Sequence, residues 1–246
     1  MKATHFEFRF RFIIILLLYM LGFWAPWTWT ASRYAPPPST AWLACSTWLE
    51  RLGWLRLDSA SLLVTGLAIL FGLAGAALRW WGTAYLSASV VHSGSMHGDQ
   101  VMAAGPYRYV WNPLYLGSFF MAVSIAILMP PSGAIVFLVL IAVFYFRLIL
   151  GEEAFLAGQA GDAYLRYKRE VPRIVPSLRP RIPVSEARPQ WGASLVAELL
   201  PVGYALCLAV LAWRYEPLLL VRSLLICFGL SLVARAMLPK TAVAAD

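Results

Sequence analysis

Six runs of 16 to 23 mostly apolar residues punctuate this chain, at 12–27, 59–81, 114–129, 133–150, 195–213 and 217–238. A hydrocarbon layer about 30 Å thick asks for about 20 such residues per helix. Water offers no alternative, because 61% of the 246 side chains are hydrophobic and only 13% charged. Soluble domains carry roughly 25% charged residues. The sequence therefore predicts an all-α, polytopic integral membrane protein with about six transmembrane helices in one membrane domain.

Charge placement orients that domain. The net charge of +8 invites a nucleic-acid partner, but the basic residues flank apolar runs and no recognition motif accompanies them. Cytoplasmic loops of membrane proteins are enriched in Lys and Arg. With six spans and the N-terminus inside, 15 of the 20 basic residues face the cytoplasm, leaving only Arg33, Arg51, Arg56, Arg214 and Arg222 outside. Both termini and both large polar segments, 82–113 and 151–191, are expected on that side, with the bacterial inner membrane as the setting. The partners this predicts are the bilayer and a lipophilic small molecule or lipid, not nucleic acid. Oligomeric state is not readable.

The chain divides into residues 1–81 (two helices and an external loop), 82–191 (two polar segments around a hairpin) and 192–246 (a final hairpin). The first run follows Lys2, Arg9 and Arg11, as in a signal peptide, but Trp24, Pro26, Trp27 and Trp29 follow it instead of a small-residue cleavage site. An uncleaved helix with an interfacial aromatic end fits better. Residues 28–58 read as the external loop, with a short interfacial helix around 40–55. Gly66, Gly72 and Gly75 in the second span suit close helix packing. Cys45, Cys207 and Cys227 form no CxxC pair and support neither a disulfide framework nor a zinc site.

The chemistry concentrates in two places. The first is GPYRYVWNPLYLG (105–117), where Gly105-Pro106 marks a turn and Asn112-Pro113 opens a helix, since proline is tolerated in a first helical turn. Tyr107, Arg108, Tyr109, Asn112 and Tyr115 crowd the positive end of that helix, offering donors and stacking faces to an anionic group with an aromatic body. An interfacial aromatic belt with an arginine facing lipid phosphates explains the same composition. The second place is Glu152-Glu153, expected at the end of the fourth span, where acidic residues oppose the helix dipole. Such a pair beside a membrane calls for a cation. Arg147 is one candidate, a bound amine or sulfonium another. Tyr164, Tyr167 and Val171-Pro172-Arg173 follow.

The order GPYRYVxxPxYLG, apolar hairpin, EExxL, GxxYxxYxxxVPR resembles the isoprenylcysteine carboxyl methyltransferase and phospholipid methyltransferase group over about residues 92–180. The resemblance implies S-adenosylmethionine bound under two cytoplasmic segments, with a lipophilic acceptor entering from the membrane. By that resemblance His97, Gly105, Tyr107, Arg108, Asn112, Pro113, Tyr115, Glu152, Glu153, Tyr164 and Tyr167 belong to the cofactor site. One carboxylate would meet the methionine amino group, and the two tyrosines would close a lid over adenosine. Arg147 and Glu153 are the candidate catalytic residues. Trp111-Asn112-Pro113 stands where the family has Arg-His-Pro. Asn112 is expected to keep the polar contact, and Trp111 to face lipid or a neighbouring helix. Methyl transfer needs no metal, and no HExxH, CxxC, P-loop or GxSxG is present. Two alternatives are a nicotinamide-dependent reductase of the sterol reductase type, whose longer signature is missing, and a non-catalytic protein that kept the fold.

Overall fold

A computed structural model describes residues 2–24, 40–86, 104–183, 187–214 and 217–237. His97, with His92, lies outside the described residues, as do residues 28–39 of the external loop. Among the described residues every regular element is helical: α1 His5–Arg9, α2 Arg11–Trp24, α3 Ala41–Arg51, α4 Leu57–Tyr85, a 3-10 turn Gly105–Arg108, α5 Pro113–Ala126, α6 Pro131–Glu170, α7 Trp191–Ala197, α8 Leu199–Arg214 and α9 Pro217–Met237. The all-α, membrane-type fold expected from the apolar runs is thus observed.

Two of these helices, α4 and the Pro131–Gln159 part of α6, are long and apolar enough to cross a bilayer, and α7 with α8 makes a third if that pair is one span. The expected six are not reached by this measure. Helices α2 and α5 have 14 residues each, which at 1.5 Å per residue is about 21 Å.

Small residues set the central packing. Helix α4 lies against α5 where Gly75 meets Gly117: a Cβ on Gly75 would sit 2.6 Å from the Gly117 carbonyl oxygen, and the converse distance is 2.7 Å. Only glycine at both positions permits that approach. Helix α2 packs on α6, with Tyr19 against Phe137 at 4.6 Å between ring centroids. The short α3, expected around 40–55, caps the α5–α6 turn: the Ala41 and Trp42 amides donate to the Met129 and Ile127 carbonyls at 2.7 and 2.8 Å.

A buried ion pair joins the C-terminal helices to this core. Arg79 on α4 donates from Nε and Nη2 to the Glu198 carboxylate at 2.7 and 2.8 Å, and from Nη1 to Ser118 on α5 at 2.6 Å. Thr83 donates to the same carboxylate at 2.8 Å. Glu198 is wholly buried and stands at the 71° bend between α7 and α8. Its hydrogen bonds satisfy a charge that would otherwise be costly there.

Helix α6 corrects one expectation. The drop in hydropathy at 151 was expected to end the helix, which instead runs on to Glu170, 40 residues in all. Residues 152–170 are dominated by good helix formers, and the stop comes before Pro172, which cannot continue the ladder. Glu152 and Glu153 therefore lie within a helix and not at its negative end.

Candidate functional site

The two motif segments meet at one end of the α5–α6 hairpin. Gly105 has φ +54°, and a Cβ there would strike the Tyr85 ring. Its place in the motif is thus to turn the chain beneath α4, leaving Pro106 and Tyr107 buried. Asn112 takes the N-cap position of α5, without a side-chain capping bond, and Pro113 opens the helix, as the Asn-Pro pair predicts.

Beyond Glu170 the chain doubles back antiparallel to 108–112. The Trp111 amide donates to Pro172 O at 2.9 Å, and the Ser177 and Arg181 amides donate to the Tyr109 and Arg108 carbonyls at 2.9 Å each. Arg108 Nε donates to Ile182 O at 2.9 Å, and Asn112 Nδ2 to Arg173 O at 3.1 Å. Arg108 and Asn112 are thus brought to the site, with these side-chain groups holding the returning segment. Tyr167 donates from its hydroxyl to the Tyr107 carbonyl at 2.7 Å. Tyr164 and Tyr167 together cover Trp111.

Trp111 faces a neighbouring helix, α6, which is one of its two expected settings, and not lipid. It is buried beneath that cover, stacked on Tyr164 and Tyr167, while Lys168 Nζ and the Arg173 guanidinium lie 5.2 and 5.8 Å from its ring. Trp111 precedes α5, so the rule that adjacent helical side chains diverge by about 100° does not govern it.

The acidic pair is split, and neither member bonds to Arg147. Glu153 receives Arg173 Nε at 2.6 Å, Arg173 Nη2 at 3.0 Å and Lys168 Nζ at 3.1 Å. Glu152 accepts from the Tyr115 hydroxyl at 2.8 Å and lies within electrostatic reach of Arg11. Successive residues on a helix diverge, which sends the two carboxylates to different partners. Arg147 instead donates to Glu7 of α1, with three contacts of 2.8 to 3.1 Å. Its guanidinium holds the Glu7 carboxyl down at about 2 from an ordinary 4.5. Glu7 and Arg11 carry no sequence signal as site neighbours, because their partners lie about 140 positions away.

Two buried polar atoms, Trp111 Nε1 and Tyr107 Oη, find no hydrogen-bond partner among the described residues. Burial, and next Tyr167, push the Tyr107 phenol well above its ordinary range, so it stays a donor at neutral pH. Buried orphans of this kind are uncommon and suit a ligand rich in acceptors. A cavity of about 410 Å³ runs along the α5–α6 groove, with Asn112, Arg147 and Ile174 at the lid end and Phe119 and Ala142 further down. Val143 and Phe146, also in its wall, are exposed on the outer face of α6, where lipid would lie.

Among the described residues no cluster of three or more His, Cys, Asp or Glu is placed to hold a metal. No curated protein and no solved structure matches the chain. A family model described as phospholipid methyltransferase matches residues 63–162, which spans most of α4, the Gly105 turn, α5 and α6 through Glu152 and Glu153. Tyr164, Tyr167, Arg173, Glu7 and Glu198 lie beyond that match. That match, over 63–162 of a membrane-type helical chain, is to the group that the two spaced motifs resemble.

Proposed function

We propose that this protein is an S-adenosylmethionine-dependent methyltransferase acting on a lipophilic acceptor that enters from the membrane. The observation that carries the reading is the junction of two unlike environments. The buried aromatic segment that carries the unpartnered donors Trp111 Nε1 and Tyr107 Oη continues directly into Asn112, which lines an apolar groove with lipid-facing residues in its wall. The space beside those donors is the proposed cofactor chamber.

The residues fit that cofactor. Tyr107 and Trp111 would donate to its carboxylate, ribose or base acceptors, Glu152 would meet its amino group, and Tyr164 would cover its aromatic part. When bound, it supplies a methyl group activated by a sulfonium. The protein's own contribution is positioning and desolvation. The Arg173 and Lys168 clasp on Glu153 keeps the cover closed, and the buried tyrosines exclude water. Tyr115 fixes the Glu152 carboxylate, and the groove lets the acceptor approach without leaving lipid. The expected orientation places this chamber on the cytoplasmic side, where the cofactor is made.

The test is incubation of purified protein with methyl-labelled cofactor and a total lipid extract, with the labelled product identified. Transfer of label to a lipid-soluble product supports the reading. Failure to bind S-adenosylmethionine at all overturns it.

A further inference from the structure

The groove contains one feature that a simple slot for hydrocarbon would not need. Arg147 belongs to its wall at the lid end, yet its guanidinium is engaged by a carboxylate from a different element. Glu7 comes from α1, and the segment before α1 is strapped to α6 by the Ala3 amide donating to the Arg147 carbonyl at 3.0 Å. Phe8, buried in the α6 core, anchors the same segment.

The pair is built to exchange. Both side chains are about a quarter exposed, 28% for Arg147 and 24% for Glu7, so an incoming anion can reach the pair. Glu7 also accepts from the Thr4 amide at 2.7 Å, so its carboxylate keeps a partner if Arg147 leaves. Among the described residues lining the groove, Arg147 is the one charged side chain. A cationic headgroup would meet like charge there, and a neutral one would give Arg147 no reason to move. An anionic group on an apolar tail matches both parts of the groove.

We infer that the acceptor is an amphiphile with an anionic phosphate or carboxylate, which takes Arg147 over from Glu7, so that the N-terminal segment acts as a built-in competitor at the headgroup site. This rests on the groove being the acceptor site of the methyltransferase reading. Arg147 is then a headgroup-binding and specificity-determining residue, and Glu7 sets the threshold that an acceptor must exceed.

The experiment is competitive binding to the full chain in neutral detergent, counted by native mass spectrometry, with hexadecyl phosphate, palmitate, hexadecanol and hexadecyltrimethylammonium as probes. Wild type should prefer one or both anionic probes. Glu7→Gln should raise their affinity by about tenfold, the scale of one charge-assisted contact, and leave hexadecanol unchanged. Arg147→Met should abolish the preference, and Arg147→Lys should restore part of it, which separates loss of charge from loss of folding. Phosphate bound without palmitate assigns a phosphate headgroup, and the reverse assigns a carboxylate. Equal binding of all four probes, or no response to Glu7→Gln, overturns the inference. Labelled S-adenosylmethionine binding is measured in parallel: an anion preference without cofactor binding sinks the methyltransferase reading alone.

Discussion

Trp111 and Tyr164 stack face to face, their rings 5.7 Å apart at the centroids and only 10° from parallel. The contact joins a loop residue before α5 to the far end of α6, and so locks the two halves of the motif together. Trp111→Ala should cost about 3–5 kcal/mol, the usual loss for truncating a buried large aromatic, read as a lower unfolding temperature. Trp111→Phe keeps most of the stacking and removes the unpartnered Nε1 donor. It should leave the unfolding temperature unchanged or slightly raised while weakening S-adenosylmethionine binding.

Tyr107→Phe tests the second unpartnered donor. The Tyr107 carbonyl, which accepts from Tyr167, is untouched by the change, so the cover should stay in place. Stability should hold while cofactor affinity falls by about 1 kcal/mol or more, measured by equilibrium dialysis with labelled cofactor. Unchanged affinity would remove Tyr107 from the cofactor site.

Glu153→Gln should loosen the cover without emptying the chamber. The carboxylate is buried but Arg173 and Lys168 are more than a third exposed. The cost should therefore fall below that of a fully buried pair, at about 1–2 kcal/mol. Faster amide exchange across 164–177, with exchange in α4 and α5 unchanged, is the expected signature.

Glu198→Ala should be among the most damaging single changes. It strands the Arg79 guanidinium between α4 and α5 and leaves Thr83 without its acceptor. Breaking one side of a buried pair costs about 3–5 kcal/mol, visible as a lower unfolding temperature in detergent. The double change Arg79→Met with Glu198→Leu should recover much of it.

Acid should release the N-terminal segment. Glu7 has its carboxyl lowered from 4.5 to about 2, chiefly by its hydrogen bonds with Arg147. A lowered folded-state value means the contribution is fully present above 4.5 and is lost as pH falls from there towards 2. Proteolysis within residues 2–11 should accelerate over that window in wild type, and be fast and flat with pH in Glu7→Gln.

The elements that local chemistry fixes were readable in advance. Asn112-Pro113 opens α5, Gly105-Pro106 turns, and α3 falls within 40–55, because each depends on neighbouring residues. Polarity proved a poor guide to where α6 stops. A change from apolar to charged side chains marks the membrane boundary, while the helix ends only where the backbone must, before Pro172. Partner choice was the least readable. Arg147 stands five residues from Glu152 yet pairs with Glu7, since the identity of a charge's partner depends on which distant segment folds across it. The same holds for Trp111, whose direction is set by the returning chain at 171–173.

The length of α6 has a mechanical corollary. Forty residues at 1.5 Å each make one rod of about 60 Å, with the membrane part and the tyrosines of the cover on a single uninterrupted shaft. A shaft has no joint, so Tyr164 and Tyr167 cannot swing away from the chamber as a flap would. What can give is the returning stretch from 171 to 182, fastened to 108–112 by a handful of hydrogen bonds. Under the proposed function, loading and emptying the chamber becomes a matter of unfastening a ribbon from a fixed post.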